Sequence, residues 1–148
     1  MSSHDRYQQI VVPTDGSVAA QTAVDHAISI ATVTGAAINA IYVIDERVTM
    51  AATEATRPEL TETLRQEGEA AVGTVETEAT KNDLTVSTHL KSGTPAKEII
   101  DFADEVDADL IVMGNSGRTA REKLIQMGSV SERVADNAPI PVLVVPQE

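Results

Sequence analysis

The sequence predicts an α/β fold: a doubly wound, five-stranded parallel sheet in the order 3-2-1-4-5, with helices on both faces. Three observations predict it. Short apolar runs alternate with amphipathic stretches along the whole chain, and strands separated by helices make βαβ crossovers, hence a parallel sheet. Five such runs in 148 residues suit one domain, 1–148, with its own core. The long connection between the third and fourth runs is expected to cross the sheet, which reverses the strand order between strands one and four.

The first strand is Tyr7 to Pro13, centred on Ile10-Val11-Val12. Ser17 to Thr34 is a helix, because Ala20, Ala23, Val24, Ala27, Ile28 and Ala31 form one stripe at helical spacing. Gly35 supplies its stop. Ala36 to Ile44 is nearly continuous in apolar residues and forms strand two. Asp45 to Arg57 lacks a clear period and reads as a loop. Pro58 to Thr80 reads as a long polar helix with a thin stripe: Leu60, Leu64, Ala71 and Val75. Leu84 to Leu90 alternates and is placed as an edge strand.

Thr94 and Pro95 open the next helix as N-cap and first helical residue, with Ile99, Ile100, Ala103 and Val106 as its buried face. Asp109 to Met113 is strand four. Gly117 to Ala138 reads as helical, broken at Gly128-Ser129. Val142 to Val145 is strand five, and the prolines at 141 and 146 suit a sheet margin.

Composition narrows the function classes. The formal charge is −12, from 23 acidic and 11 basic residues, which repels nucleic acid and anionic membranes. The acidic residues are spread along the chain, aromatics make up 2%, and four of the basic residues are Lys. That pattern fits a surface adapted to molar salt, where a Debye length of ~3 Å screens self-repulsion; an ordinary acidic surface is the plainer reading. No apolar run reaches the ~18 residues of a membrane span. Met1-Ser2-Ser3-His4-Asp5 carries no basic, apolar leader, so a cytoplasmic location is expected. Absence of Cys excludes disulfides, thiol chemistry and Cys-based zinc sites.

The chemistry concentrates where strands one and four end, since ligands of open α/β sheets bind outside the carboxyl ends of the strands at the switch point. After strand four, which closes on Met113, come Gly114-Asn115-Ser116-Gly117, ten residues from Arg118 to Met127, and Gly128-Ser129-Val130-Ser131. Glycine lacks a Cβ, so phosphate can approach backbone N–H groups closely. Gly114, Gly117 and Gly128 are therefore phosphate-loop candidates, or simple turn glycines. Ser129 and Ser131 add hydroxyls, although Ser129 serves equally as a helix N-cap. Arg118 either adds charge to the site or is solvated.

After strand one, Pro13, Thr14 and Asp15 line the same crevice. Asp15 suits ribose hydroxyls or a water-mediated metal ion; as a turn residue it would instead cap the helix at Ser17. The Val43 backbone, at the end of strand two, can offer N–H and C=O to a purine edge. His4, His26 and His89 share no metal spacing and read as structural. No G-x-S-x-G elbow or positioned general base is visible, so no catalytic residue is assigned; at most, slow hydrolysis by metal and water is expected.

Taken together, these segments resemble the universal stress protein family from Gln9 to Pro146. The resemblance is carried by Ile10-Val11-Val12-Pro13-Thr14-Asp15-Gly16-Ser17, Ile41-Tyr42-Val43-Ile44-Asp45, Gly93-Thr94-Pro95, Asp109 to Gly114, Gly128-Ser129-Val130-Ser131 and Pro139 to Val145. It implies a Rossmann-like α/β domain and a homodimer paired through the last strand, Val142 to Val145. It further implies the ATP-binding branch, with ATP and Mg²⁺ or Mn²⁺ as ligands. Asp15 would then contact ribose or metal, and the Val43 backbone would hold adenine. Gly114, Gly117, Gly128, Ser129 and Ser131 would surround ribose and phosphates; Pro13, Thr14, Met113, Arg118 and Val130 complete the expected set. The sequence departs from the family pattern in carrying one extra residue between Gly117 and Gly128, which turns a helix by about 100°. A nucleotide-free dimerisation module acting through partners is the alternative.

Overall fold

The computed structural model describes residues 6–115 and 129–146. Five strands form one parallel sheet: β1 (Gln9–Pro13), β2 (Ala37–Asp45), β3 (Val86–Gly93), β4 (Leu110–Gly114) and β5 (Val142–Val145). Their order is β3-β2-β1-β4-β5, as expected. The described helices are α1 (Val18–Thr34), α2 (Glu46–Ala51), α3 (Arg57–Lys81), α4 (Pro95–Glu105) and α5 (Val130–Asn137).

The period of two along each strand sorts the core into two layers. Ile10 and Val12 of β1, Ile38, Ala40, Tyr42 and Ile44 of β2, and Leu110 and Val112 of β4 pack toward α1 and α3. Val11, Ile41, Ile111 and Met113 point the other way, toward α4 and α5. The three β1 residues Ile10, Val11 and Val12 are each 0% exposed. Burying such a side chain stabilises by about 1.5–3 kcal/mol, so the central strand fixes the register of everything built on it.

Helix α1 follows its sequence signals. Ser17 is the N-cap, its Oγ accepting from the Ala20 N–H at 3.2 Å, and Gly35 ends the helix at φ 79° with its N–H donating to the Ala31 carbonyl. Its Ala-rich stripe is buried, and the side chains are small enough for the helix to lie close to the sheet. Helix α3 is polar because it covers one side of the sheet and leaves the rest in water; Gly68, Ala71, Val72, Val75 and Ala79 are its buried residues.

Four expectations need correction. The segment 45–57 is not all loop: α2 forms within it, and none of its residues is buried, so it carries no apolar period to read. Its signal is local instead, since the Asp45 carboxylate accepts from the Arg47 N–H at 3.0 Å and pairs with the same residue's guanidinium. Strand β3 begins at Val86 rather than Leu84 and runs on to Gly93, where Ile44 and Asp45 pair with Ser92 and Gly93. Strand β1 begins at Gln9 rather than Tyr7. Thr94 occupies the N-cap position of α4, but its side chain makes no capping hydrogen bond.

Candidate functional site

The carboxyl ends of the strands open into a cleft of about 410 Å³. It lies at the switch point between β1 and β4, where the sheet order reverses. Of the sequence-predicted residues, Pro13, Thr14 and Asp15 line it from the β1 side, Met113 and Gly114 from the β4 side, Val43 from β2, and Val130 and Ser131 from α5. Ser129 stands beside the cleft rather than among its lining residues. Gly117, Arg118 and Gly128, and with them the ten-residue spacing, lie outside the described residues.

The turn after β1 is held by its own side chains. The Thr14 N–H donates to the Ile41 carbonyl at 2.9 Å, which ties the turn to β2. The Gly16 N–H donates to Thr14 Oγ1 at 3.1 Å, and the Ser17 N–H donates to Asp15 Oδ1 at 2.9 Å. Gly16 itself has φ 80°, a left-handed conformation suited to glycine. Asp15 therefore does what a turn aspartate does at one oxygen, and Oδ2 has no hydrogen bond among the described residues. The carboxylate is exposed at the cleft. It is the only charged side chain lining the cleft among the described residues. The nearby Tyr42 hydroxyl is pushed up from its ordinary pKa by burial, with the charges of Glu67 and Asp15 adding to the shift.

At the end of β4, Gly114 has a structural reason to be glycine. A Cβ there would sit 2.5 Å from the Ala19 carbonyl oxygen and 3.1 Å from the Ala20 nitrogen. The first turn of α1 thus lies directly against the strand's exit. The following Asn115 N–H donates to the Val145 carbonyl at 2.8 Å and secures that exit to β5.

At α5, Ser129 acts as N-cap, its Oγ accepting from the Glu132 N–H at 3.3 Å. Ser129 and Ser131 are both buried, and their hydroxyls lie 3.2 Å apart.

Sequence reasoning missed a group of lining residues. Ser17, Ala19 and Ala20 come from the start of α1, Pro95 and Ile99 from the start of α4, Ile41 from β2, and Asn115 from the exit of β4. With Val130 and Ser131, the first turns of three helices border one cleft. A helix N-terminus carries unsatisfied N–H groups and roughly half a positive charge, so their convergence favours an anion. Ile41, Val43, Ile99 and Met113 add apolar lining to the same cleft. The capping residues Ser17, Thr94 and Ser129 were the legible signal for this, because parallel βα units bring every helix start to the same end of the sheet.

Among the described residues no group of three or more His, Cys, Asp or Glu could hold a metal ion unaided. Nor is any described helix long and apolar enough to cross a membrane.

Comparison with known proteins gives a consistent result. The sequence profile described as the universal stress protein family matches residues 6–146. A universal stress protein of Methanocaldococcus jannaschii is 42% identical over 140 residues, covering 94% of this chain and 82% of that protein. The solved structure of the protein MJ0577, a structural-genomics test case in assigning biochemical function, superposes with a TM-score of 0.83 at 31% identity, covering 97% of this chain and 98% of that one. A universal stress protein solved in complex with cAMP gives a TM-score of 0.67 at 28% identity, covering 96% and 98%.

Proposed function

We propose that this chain, which belongs to the universal stress protein family, is a nucleotide-binding stress-response sensor that takes ATP with Mg²⁺ or Mn²⁺ in the switch-point cleft. The observation that carries the reading is the convergence of three helix starts on one cleft that also has an apolar lining. A nucleotide has the matching division, with phosphates at the N–H-rich side and a base against Ile41, Val43, Ile99 and Met113. The cleft volume falls in the range of small-ligand pockets. A relative of the same fold was solved with a cyclic nucleotide, cAMP, which supports the ligand class.

The metal enters through charge. A triphosphate brings several negative charges to an acidic protein, and helix starts neutralise only part of them. Asp15, exposed at the cleft with one carboxylate oxygen uncommitted among the described residues, fits a water-mediated divalent ion of the Mg²⁺ type, which keeps most of its waters. When bound, the ion would neutralise the phosphates; Asp15 would orient it or the ribose hydroxyls. Ser131, buried and lining the cleft, would offer its hydroxyl to ribose or phosphate; Gly117, Arg118 and Gly128, outside the described residues, belong to the proposed phosphate contacts. No residue is assigned as a catalyst.

The homodimer reading rests on β5. It is an edge strand whose Leu143 is 37% exposed, and pairing two such edges would remove the aggregation hazard of an open sheet.

A nucleotide-free partner-binding module is the second reading. It is favoured by one observation: Gly114 is already accounted for by the packing of α1. Mass analysis of freshly purified, denatured protein separates the two. The nucleotide reading expects an adenine nucleotide at a substantial fraction of one per chain in wild type and much less in Asp15→Asn. Nucleotide-free wild type that also fails to take up added ATP–Mg²⁺ supports the module instead.

A further inference from the structure

Helix α2 leaves β2 at the cleft's base-holding end, three residues after the lining residue Val43, yet it belongs to neither core layer. None of its six residues is buried, and Val48 and Met50 are 48% and 70% exposed. Two polar grips hold it. At its start, Asp45 caps Arg47 and pairs with its guanidinium, Nε to Oδ1 at 3.0 Å and Nη2 to Oδ2 at 2.8 Å. At its end, the Arg57 side chain reaches back from α3, donating from Nε to the Thr49 carbonyl at 3.0 Å and from Nη2 to the Ala52 carbonyl at 3.0 Å, with Met50 O at 3.5 Å. A guanidinium spent on the carbonyls of a six-residue helix is notable in a chain with 23 carboxylates.

We propose that α2 is a flap over the base-holding end of the cleft, hinged at Asp45 and latched by Arg57. The inference rests on the nucleotide reading for what the flap covers, but not for the latch. Segments with few buried apolar contacts open at a small fraction of the global free energy, and ligand lids are drawn from them. The geometry permits closure. Val43 lies two residues of extended chain, about 7 Å, before the pivot at Asp45, and a helix of this length spans about 9 Å, so folding it back at Asp45 brings Val48 and Met50 within reach of a base held at Val43. Those two side chains are the apolar surface that a ligand's exposed face would cover, and their burial would repay release of the Arg57 bonds.

The test is amide hydrogen exchange on the whole protein, free and with ATP–Mg²⁺, in wild type, Arg57→Ala and Arg57→Lys. In free wild type, residues 46–52 should exchange faster than 37–44. Arg57→Ala should quicken 46–52 by about tenfold while the sheet and the body of α3 stay unchanged. Arg57→Lys, which keeps the charge but loses the planar fork, should fall between. Bound ATP–Mg²⁺ should slow 46–52. Unchanged exchange at 46–52 in Arg57→Ala overturns the latch. ATP that binds by calorimetry without slowing 46–52 overturns the flap and leaves the nucleotide reading standing. An absence of binding heat, with 46–52 still released in Arg57→Ala, removes the nucleotide and the flap's ligand while keeping the latch.

Discussion

Gly114 is required by packing before any ligand is considered. Its sequence context suggests a backbone opened to phosphate, yet the contact that forbids a side chain there is the Ala19 carbonyl of α1, 2.5 Å from a would-be Cβ. Gly114→Ala should therefore destabilise the free protein, because backbone atoms on a packed helix have little room to give. We expect a loss of about 1–3 kcal/mol, read as a fall of roughly 2–10 °C in the thermal midpoint without any ligand. An unchanged midpoint would assign the glycine to ligand approach alone. The same residue marks what was legible locally. That position 114 needed glycine could be read from a strand opening into a glycine loop; that the reason was a helix crossing from another part of the chain could not. Asp15 repeats the lesson. The turn reading holds, since Oδ1 closes the turn on Ser17, and the carboxylate is left exposed at the cleft, where the proposed ligand contact would use it.

Between elements, the joint of β3 and α4 carries a titratable group. His89 of β3 packs its ring on Phe102 of α4, centroids 4.6 Å apart. A polar ladder crosses the sheet to meet it. Asn39 donates to Gln9 Oε1 and the Ile10 carbonyl, Ser87 Oγ donates to Asn39 Oδ1 at 2.9 Å, and the ladder ends at His89 Nε2, 3.0 Å from Ser87 Oγ. With the Ser87 proton given to Asn39, its oxygen accepts from His89, which places the neutral ring's proton on Nε2. Burial, then the Lys91 charge, lower the His89 pKa below its ordinary 6.5, against an opposing pull from Glu105. The folded state thus binds this proton less readily than the unfolded chain. The stability it contributes is full above pH 6.5 and is lost as pH falls through that value toward the lower folded-state pKa. Wild type should show a falling denaturation midpoint across that window, and His89→Gln a flatter one. Equal slopes would remove His89 from the account. Periodicity revealed α4 and, on its buried face, Ile99 and Ala103; Ala96 and Phe102 were missed, and the expected Ile100 and Val106 are half-buried. It was silent on α2, which buries no residue and is held by Asp45 and Arg57, and on the ladder, whose members meet only once the strands are in register.

Across the whole molecule, the sheet order could be read from the alternation of strands and helices, and the switch point gave the cleft's position. No single motif showed that three helix starts meet there; the residues at the N-cap positions mark each start, and the parallel topology brings the starts together. The charge of −12 acts at this scale too. Like charges spread over a small surface repel one another, and salt at molar concentration shortens their range to ~3 Å. The thermal midpoint should rise by several degrees as KCl is raised from about 0.1 M to about 2 M; a midpoint that ignores salt would make the acidic surface energetically neutral. Nucleotide binding in the cleft bordered by α1, α4 and α5 is tested by titration calorimetry of nucleotide-stripped protein with ATP–Mg²⁺. The expected result is a saturating heat at one ATP per chain with micromolar affinity, weakened at least tenfold in Asp15→Asn. No heat at millimolar ATP, from protein that is folded and monodisperse, would contradict it.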